Sequence, residues 1–217
     1  NSRYNNLMTI YALSSGSGVS GVAVIRISGK NTANLLKSLI NSEIPKPRMA
    51  TLKKINNINT SELIDEGLIL WFPGPQSYTG EDMAEIHVHG GKAVVQCILN
   101  VLSEAKGCRL AEPGEFTKLA FQNGKINLLK AESIGDLISA ETEIQRLQAV
   151  KIMKGKTSVK FNELRDKLLK ILSFVEAKID FPEEDLPEEN LKKIKQDTSD
   201  VLKEINEILN DQKVGEI

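Results

Sequence analysis

The segment Gly16-Ser17-Gly18-Val19-Ser20-Gly21-Val22-Ala23-Val24-Ile25-Arg26-Ile27 decides how the first half of this chain is built. Its first six residues fit the pattern G-x-G-x-x-G of dinucleotide-binding turns. Such a turn must open a helix whose N-terminus holds the pyrophosphate, with an acid about 20 residues further on. Here the glycines run straight into Val22-Ala23-Val24-Ile25, a stretch suited to a pleated strand. Position 41 is Asn41, and the nearest acid, Glu43, lies beyond a helical segment. The glycines therefore read as a flexible turn between two strands, Thr9–Leu13 and Val22–Ile27. No G-x-x-x-x-G-K-[ST] occurs, so this stretch of chain holds no P-loop.

Similar punctuation continues to about residue 118. Asn31–Ile40 has helical spacing with Asn31 as its candidate cap. Arg48–Ile55, Leu63–Phe72 and Met83–Val88 read as strands, and Pro73–Asp82 as a loop rich in turn residues. Gly91–Ala105 places apolar residues at 94, 95, 98, 101 and 102, a helix with one face on the sheet. Past Gly124 only Gly135, Gly155 and Gly215 remain of the 15 glycines, and five of the seven prolines also precede residue 119. Long helices avoid both residues, so a mixed region (1–118) is expected to give way to an all-helical one (119–217). Two seams support this: Phe161, Leu164, Leu168, Ile171 and Val175, then Leu191, Ile194, Thr198, Val201, Ile205 and Ile208. They step by threes and fours, as in helices packed nearly antiparallel, with Asp180–Glu189 as the turn between them. An exposed apolar stripe is expected to involve some of Leu164, Leu168, Ile171, Ile194, Val201 and Ile205.

Composition narrows the function. The 217 residues are 41% hydrophobic and 26% charged, a globular mixture, with no run of the roughly 18 apolar residues that a membrane helix needs. The polar start, NSRYNN, lacks the layout of a secretion signal. Net charge is −1, against a general polyanion binder, although residues 1–118 carry 12 basic and 10 acidic groups and the remainder 16 and 19. Cys97 and Cys108 fit neither a disulfide framework nor a zinc motif, as expected of thiols in a reducing cytoplasm.

Three positions carry chemistry. Glu85 shares a strand face with His87 and His89, at i, i+2 and i+4. This set is read as polar residues on a solvated face rather than as metal ligands, since no third histidine or nearby cysteine completes it. A carboxylate there can accept two parallel hydrogen bonds from an amidine-like N–H pair, as a pterin or guanine ring presents. Arg26 ends an apolar run and, if it shares the face of Val22 and Val24, needs an anion from the protein or from a ligand. Lys125 lies in the polar turn Gln122-Asn123-Gly124-Lys125.

An ordered set of segments carries a resemblance. They include Thr9-Ile10-Tyr11-Ala12, Val24-Ile25-Arg26-Ile27-Ser28-Gly29, Trp71-Phe72-Pro73-Gly74-Pro75-Gln76-Ser77-Tyr78-Thr79-Gly80-Glu81-Asp82 and Glu85 through Gly91. Pro113-Gly114-Glu115-Phe116-Thr117, Asn123-Gly124-Lys125, Ala131-Glu132 and Asp180-Phe181-Pro182-Glu183-Glu184 complete it. Together they resemble the tRNA-modification GTPase family MnmE, also called TrmE. The chain departs from the family pattern at Leu119, where an arginine is usual, and at Asn127, where an acid is usual.

The resemblance implies an α+β fold: a mixed domain (1–118) similar to the folate-binding part of the glycine-cleavage aminomethyltransferase, then an all-α half-bundle (119–217). It also implies that Arg26, Glu85 and Lys125 match positions associated with 5-formyltetrahydrofolate, and that the loop Gly74–Asp82 shapes the pocket or a homodimer contact. On the same ground the chain corresponds to a piece of a longer protein, without the inserted GTPase domain that uses GTP, potassium and magnesium. It would then hold no catalytic residue and should not hydrolyse GTP. The intact protein is expected in the cytoplasm. With its flavin-containing partner MnmG, in a heterotetramer, it would add a (carboxymethyl)aminomethyl group to C5 of the tRNA wobble uridine. A pairing scaffold without catalysis and a free-standing folate-dependent aminomethyltransferase are the alternative readings.

Overall fold

The computed structural model describes residues 8–180 and 188–209. The chain forms two compact units, Asn1–Asn127 and Leu128–Ile217. The first holds β1 (Thr9–Leu13), β2 (Ser20–Ser28), α1 (Thr32–Ile40), β3 (Thr51–Asn56), β4 (Leu63–Phe72), β5 (Met83–Gly90), α2 (Lys92–Glu104), β6 (Cys108–Leu110) and α3 (Glu115–Gln122). The glycine-rich segment joins β1 to β2, which pair antiparallel, so it is a strand-to-strand turn.

Six strands form one sheet in the order β3-β4-β5-β2-β1-β6. All neighbours are antiparallel except β1 and β6, which run parallel. Successive side chains of a strand point to opposite faces. On β2, Ala23, Ile25 and Ile27 are buried; on β5, Ala84, Ile86 and Val88 are. They join Ile55, Ile69 and Trp71 in a core with Leu35, Leu36 and Leu39 of α1 and Ile98, Val101 and Leu102 of α2. Truncating a fully buried leucine such as Leu36 to alanine costs about 2–5 kcal/mol. The core face is thus strongly specified. A one-residue slip would expose every one of these side chains, so the residues between them are fixed on the opposite face. Those residues are Val22, Val24 and Arg26 on β2 and Glu85, His87 and His89 on β5.

Several sequence expectations need adjustment. The strand expected over Arg48–Ile55 begins only at Thr51, because Arg48 has a left-handed backbone (φ 62°) and sits in a turn. Asn31 precedes α1 but makes no side-chain cap; its Oδ1 accepts from Asn34 Nδ2 at 3.3 Å. The short strand β6 and the helix α3 have no counterpart among the predicted elements. The division placed between residues 118 and 119 falls inside α3, while the compact unit continues to Asn127.

The second unit contains α4 (Leu128–Ser139), α5 (Glu143–Met153), α6 (Lys156–Asp180) and α7 (Glu188–Leu209). Thr142 and Gln145 form a capping box at the start of α5, each satisfying a backbone N–H of the other. Between α6 and α7, Leu164 and Val201 are buried, and Lys167 pairs with Glu204. Other members of the expected seams stay in solvent: Phe161, Leu168 and Val175 are exposed, with Leu169, Leu172 and Leu202 beside them in sequence or on the partner helix. Of the six residues expected to contribute to an exposed stripe, Leu168 is exposed, Ile171, Ile194 and Ile205 are half-buried, and Leu164 and Val201 are buried between the two helices. The expected turn Asp180–Glu189 lies largely outside the described residues, as does the side chain of Leu191. No helix among the described residues is long and apolar enough to cross a membrane.

Candidate functional site

The register of β2 against β5 sets Arg26 opposite Glu85 and Val24 opposite His87. Both members of the Arg26–Glu85 pair are on the face opposite α1 and α2, and the contact is direct: Arg26 Nη2 and Nε donate to Glu85 Oε1 at 2.7 and 3.1 Å. Of the two partners open to Arg26 in the sequence, the protein carboxylate is the one it meets here. The pair uses two guanidinium nitrogens and one carboxylate oxygen. The other oxygen, Oε2, lies 3.4 Å from His87 Nε2.

Two aromatic rings wall this pair. The Arg26 guanidinium carbon is 5.6 Å from the ring centre of Tyr78 and 5.5 Å from that of Phe116, within cation–π range. Tyr78 comes from the loop 73–82 and Phe116 from α3. A hydrogen bond of 2.9 Å between Tyr78 Oη and Thr117 Oγ1 ties the loop to the helix.

Around Tyr78 the loop is pinned by buried polar groups. Ser28 Oγ and Thr79 Oγ1 share a hydrogen bond of 2.7 Å, and Ser28 also donates to Glu81 Oε2 at 3.3 Å. Burial pushes the Glu81 carboxyl above the usual glutamate range, with the Ser28 hydrogen bond acting in the opposite direction. Asn123 Nδ2 donates to the Thr79 carbonyl at 2.7 Å, and Lys125 Nζ to the Pro75 carbonyl at 2.8 Å. Gly80 permits this approach: its φ is 84°, and a Cβ there would stand 3.2 Å from Asn123 Cβ.

The structure therefore brings Arg26 and Glu85 into contact and ties Lys125 to the loop that carries Tyr78. His89 takes no part; it turns to Asp65, with Nδ1 2.9 Å from Oδ1. No group of three or more His, Cys, Asp or Glu side chains that could hold a metal ion occurs among the described residues. Tyr78 and Phe116 are the residues that reasoning from residue types misses. Their only signal is membership of the two motifs Pro73–Asp82 and Pro113–Thr117.

A carboxylate oxygen, a guanidinium and two aromatic rings on one sheet face suit a flat heterocycle that carries N–H donors and anionic groups. Comparison with known proteins gives this arrangement a family. The model described as GTP-binding protein TrmE N-terminus matches residues 9–125, and the MnmE helical domain matches 128–217. The chain belongs to the MnmE (TrmE) family. The tRNA modification GTPase MnmE of Pelagibacter ubique is 69% identical over 209 residues, 96% of this chain and 47% of that protein. MnmE of Parvibaculum lavamentivorans is 42% identical over 208 residues, 96% of this chain and 48% of that protein. The mitochondrial 5-taurinomethyluridine-[tRNA] synthase subunit GTPB3 of Danio rerio is 49% identical over 183 residues, 84% of this chain and 36% of that protein. The chain thus spans about half the length of the bacterial MnmE relatives. Its two family segments meet at residues 125–128, the same place where the two compact units divide.

Proposed function

We propose that this chain is the part of a tRNA-modification GTPase that binds 5-formyltetrahydrofolate and pairs with a second copy of itself. The observation that carries the reading is the Arg26–Glu85 pair between the rings of Tyr78 and Phe116. A reduced pteridine has a flat ring to lie against such walls and an N–H edge for a carboxylate oxygen. It also carries a glutamate tail for cationic groups. In this reading Glu85 accepts from the pteridine through Oε2, while Arg26 and Lys125 meet carbonyl or carboxylate oxygens of the ligand. The bound folate would supply a one-carbon unit; the residues of this chain hold and orient it.

Pairing is supported by the same sheet face, where Leu52 and Leu68 lie opposite one another in register and are both exposed. The names of the relatives, a tRNA modification GTPase and a 5-taurinomethyluridine synthase subunit, favour the wider role. The complete protein, with its GTPase domain, potassium, magnesium and the partner MnmG, would modify C5 of the wobble uridine of tRNA in the cytoplasm. One observation favours a second reading, a pairing scaffold that binds no folate: the two charges already satisfy each other. Calorimetric titration of the chain with 5-formyltetrahydrofolate separates the two. Binding that Glu85→Ala abolishes supports the folate reading. A dimer that takes up no folate leaves the scaffold.

A further inference from the structure

Helix α3 and the turn after it hold the loop 73–82 through three side chains. Thr117, in the first turn of α3, shares a hydrogen bond of 2.9 Å with Tyr78 Oη. Asn123, which ends the helix, donates from Nδ2 to the Thr79 carbonyl at 2.7 Å, and Lys125 Nζ donates to the Pro75 carbonyl at 2.8 Å. Phe116, the second ring beside Arg26, belongs to the same helix. One element thus supplies one ring of the site and anchors the other. Thr79 is itself fully buried and bonded through its hydroxyl to Ser28, so the Asn123 bond ends on a residue that is fixed from the other side as well. Position 80 must be small for this contact: a Cβ there would stand 3.2 Å from Asn123 Cβ and 3.4 Å from Lys125 Cδ.

We infer that Asn123 is a positioning residue of this site: by tying down the Thr79 carbonyl it holds the adjacent Tyr78 ring against Arg26, and so fixes where the guanidinium meets a ligand oxygen. The inference rests on the folate reading and adds to it a residue that acts through Tyr78 rather than by contact with the ligand. Both rings stand 5.5–5.6 Å from the guanidinium carbon, near the outer end of the cation–π range, so a small retreat of Tyr78 weakens its hold on Arg26. A loop that is ordered only when the ligand arrives lowers affinity by its lost freedom, whereas a loop anchored beforehand does not.

Of the three anchors, Asn123 is the one whose action can be read alone. Lys125 also meets ligand oxygens in the proposed function, so its loss mixes two roles. Thr117 bonds the tyrosine ring itself. The Asn123 side chain is exposed and neutral, so Asn123→Ala removes the bond to the loop and leaves the charge of the site unchanged. The end of α3 survives the change, because the backbone N–H of residue 123 donates to the Leu119 carbonyl whatever its side chain, and its φ of −86° suits alanine.

The test is a double-mutant cycle: calorimetric titration of the 217-residue chain with 5-formyltetrahydrofolate for the wild type, Asn123→Ala, Tyr78→Leu and the double variant. Trp71, buried in the core, reports by fluorescence that each protein stays folded. Asn123→Ala should bind about fivefold more weakly than wild type, and Tyr78→Leu about tenfold more weakly. The double variant should bind no more weakly than Tyr78→Leu, since without the ring the tether has nothing to position. A merely structural role for Asn123 would weaken binding by the same factor in both backgrounds. That additive outcome, wild-type affinity in Asn123→Ala, or wild-type affinity in Tyr78→Leu would each overturn the role of Asn123. If Glu85-dependent binding persists in any of these cases, the folate reading survives. Absence of binding by the wild type overturns the folate reading and this inference together.

Discussion

Glu85 and Arg26, 59 residues apart in the chain, face each other across β5 and β2, and one carboxylate oxygen takes both hydrogen bonds. This asymmetry leaves the second oxygen turned toward His87. The pair lies on the sheet face opposite the hydrophobic core, where the alternation of Ala84, Ile86 and Val88 forces it to be. Its side chains are neither fully exposed nor fully buried, at 26% and 17%. At that depth an ion pair is well placed to orient a ligand and contributes little to stability on its own.

The Tyr78–Thr117 hydrogen bond closes the loop 73–82 onto α3 and sets the ring that covers Arg26. Tyr78→Phe and Thr117→Val should each lower stability by about 1 kcal/mol, the ordinary net worth of such a bond. The double variant should cost clearly less than the two added together. Urea denaturation of the four proteins checks this, and full additivity would mean that the bond does not form in solution.

Gly67 lets β4 approach β5 closely. A Cβ at this position would lie 2.2 Å from the His87 carbonyl oxygen, a backbone atom that cannot step aside. Gly67→Ala is therefore expected to destabilise by about 1–3 kcal/mol through strain and to disturb the strand that carries Glu85. An unchanged denaturation midpoint would contradict the register of these strands.

Arg109 holds the Glu115 carboxyl below the usual glutamate range, through hydrogen bonds that include Nη1 to Oε2 at 2.9 Å. A carboxyl depressed by folding adds stability above its ordinary pKa, and that stability is lost as pH falls through the depressed value. The stability gap between wild type and Glu115→Gln should therefore be constant near neutrality and narrow in acid. Thermal melts across the acid range measure it, and a gap that widens in acid would refute the assignment.

Glu81 has the opposite sign. Burial raises its carboxyl, so folding favours the protonated acid, and the folded state loses stability as pH climbs from the ordinary glutamate value through the raised one. Glu81→Gln can keep the hydrogen bond from Ser28 and should be more stable than wild type near neutral pH, with the advantage vanishing in acid. Denaturation at both pH values decides the point; a less stable variant at neutrality would show that the charge is needed.

Much of this arrangement is legible in the sequence, and the reason differs by residue. The face shared by Glu85, His87 and Arg26 follows from period-two alternation in Met83–Val88 and Val22–Ile27, a local property. The strand-to-strand reading of the glycines follows from the β-branched residues after them. That Arg26 meets Glu85 depends on strand order, which no local pattern contains. Tyr78 and Phe116 converge only because Ser28, Thr79 and Glu81 pin one loop and Thr117 receives its tyrosine. The false start of β3 at Arg48 has a backbone cause, since a left-handed residue gives no sign in a strand-like composition. In the second unit, spacing finds the α6 and α7 seams but does not tell which of their residues meet: Leu164 is buried and Leu168, one turn on, is exposed.

The most direct test is a crystal structure of the chain grown with 5-formyltetrahydrofolate. The account predicts the pteridine ring on the open sheet face beside Tyr78 and Phe116, with its N–H edge at Glu85 Oε2 and its charged tail toward a cationic side chain. A ligand bound elsewhere, or an Arg26–Glu85 pair with no ligand beside it at saturating concentration, would contradict it.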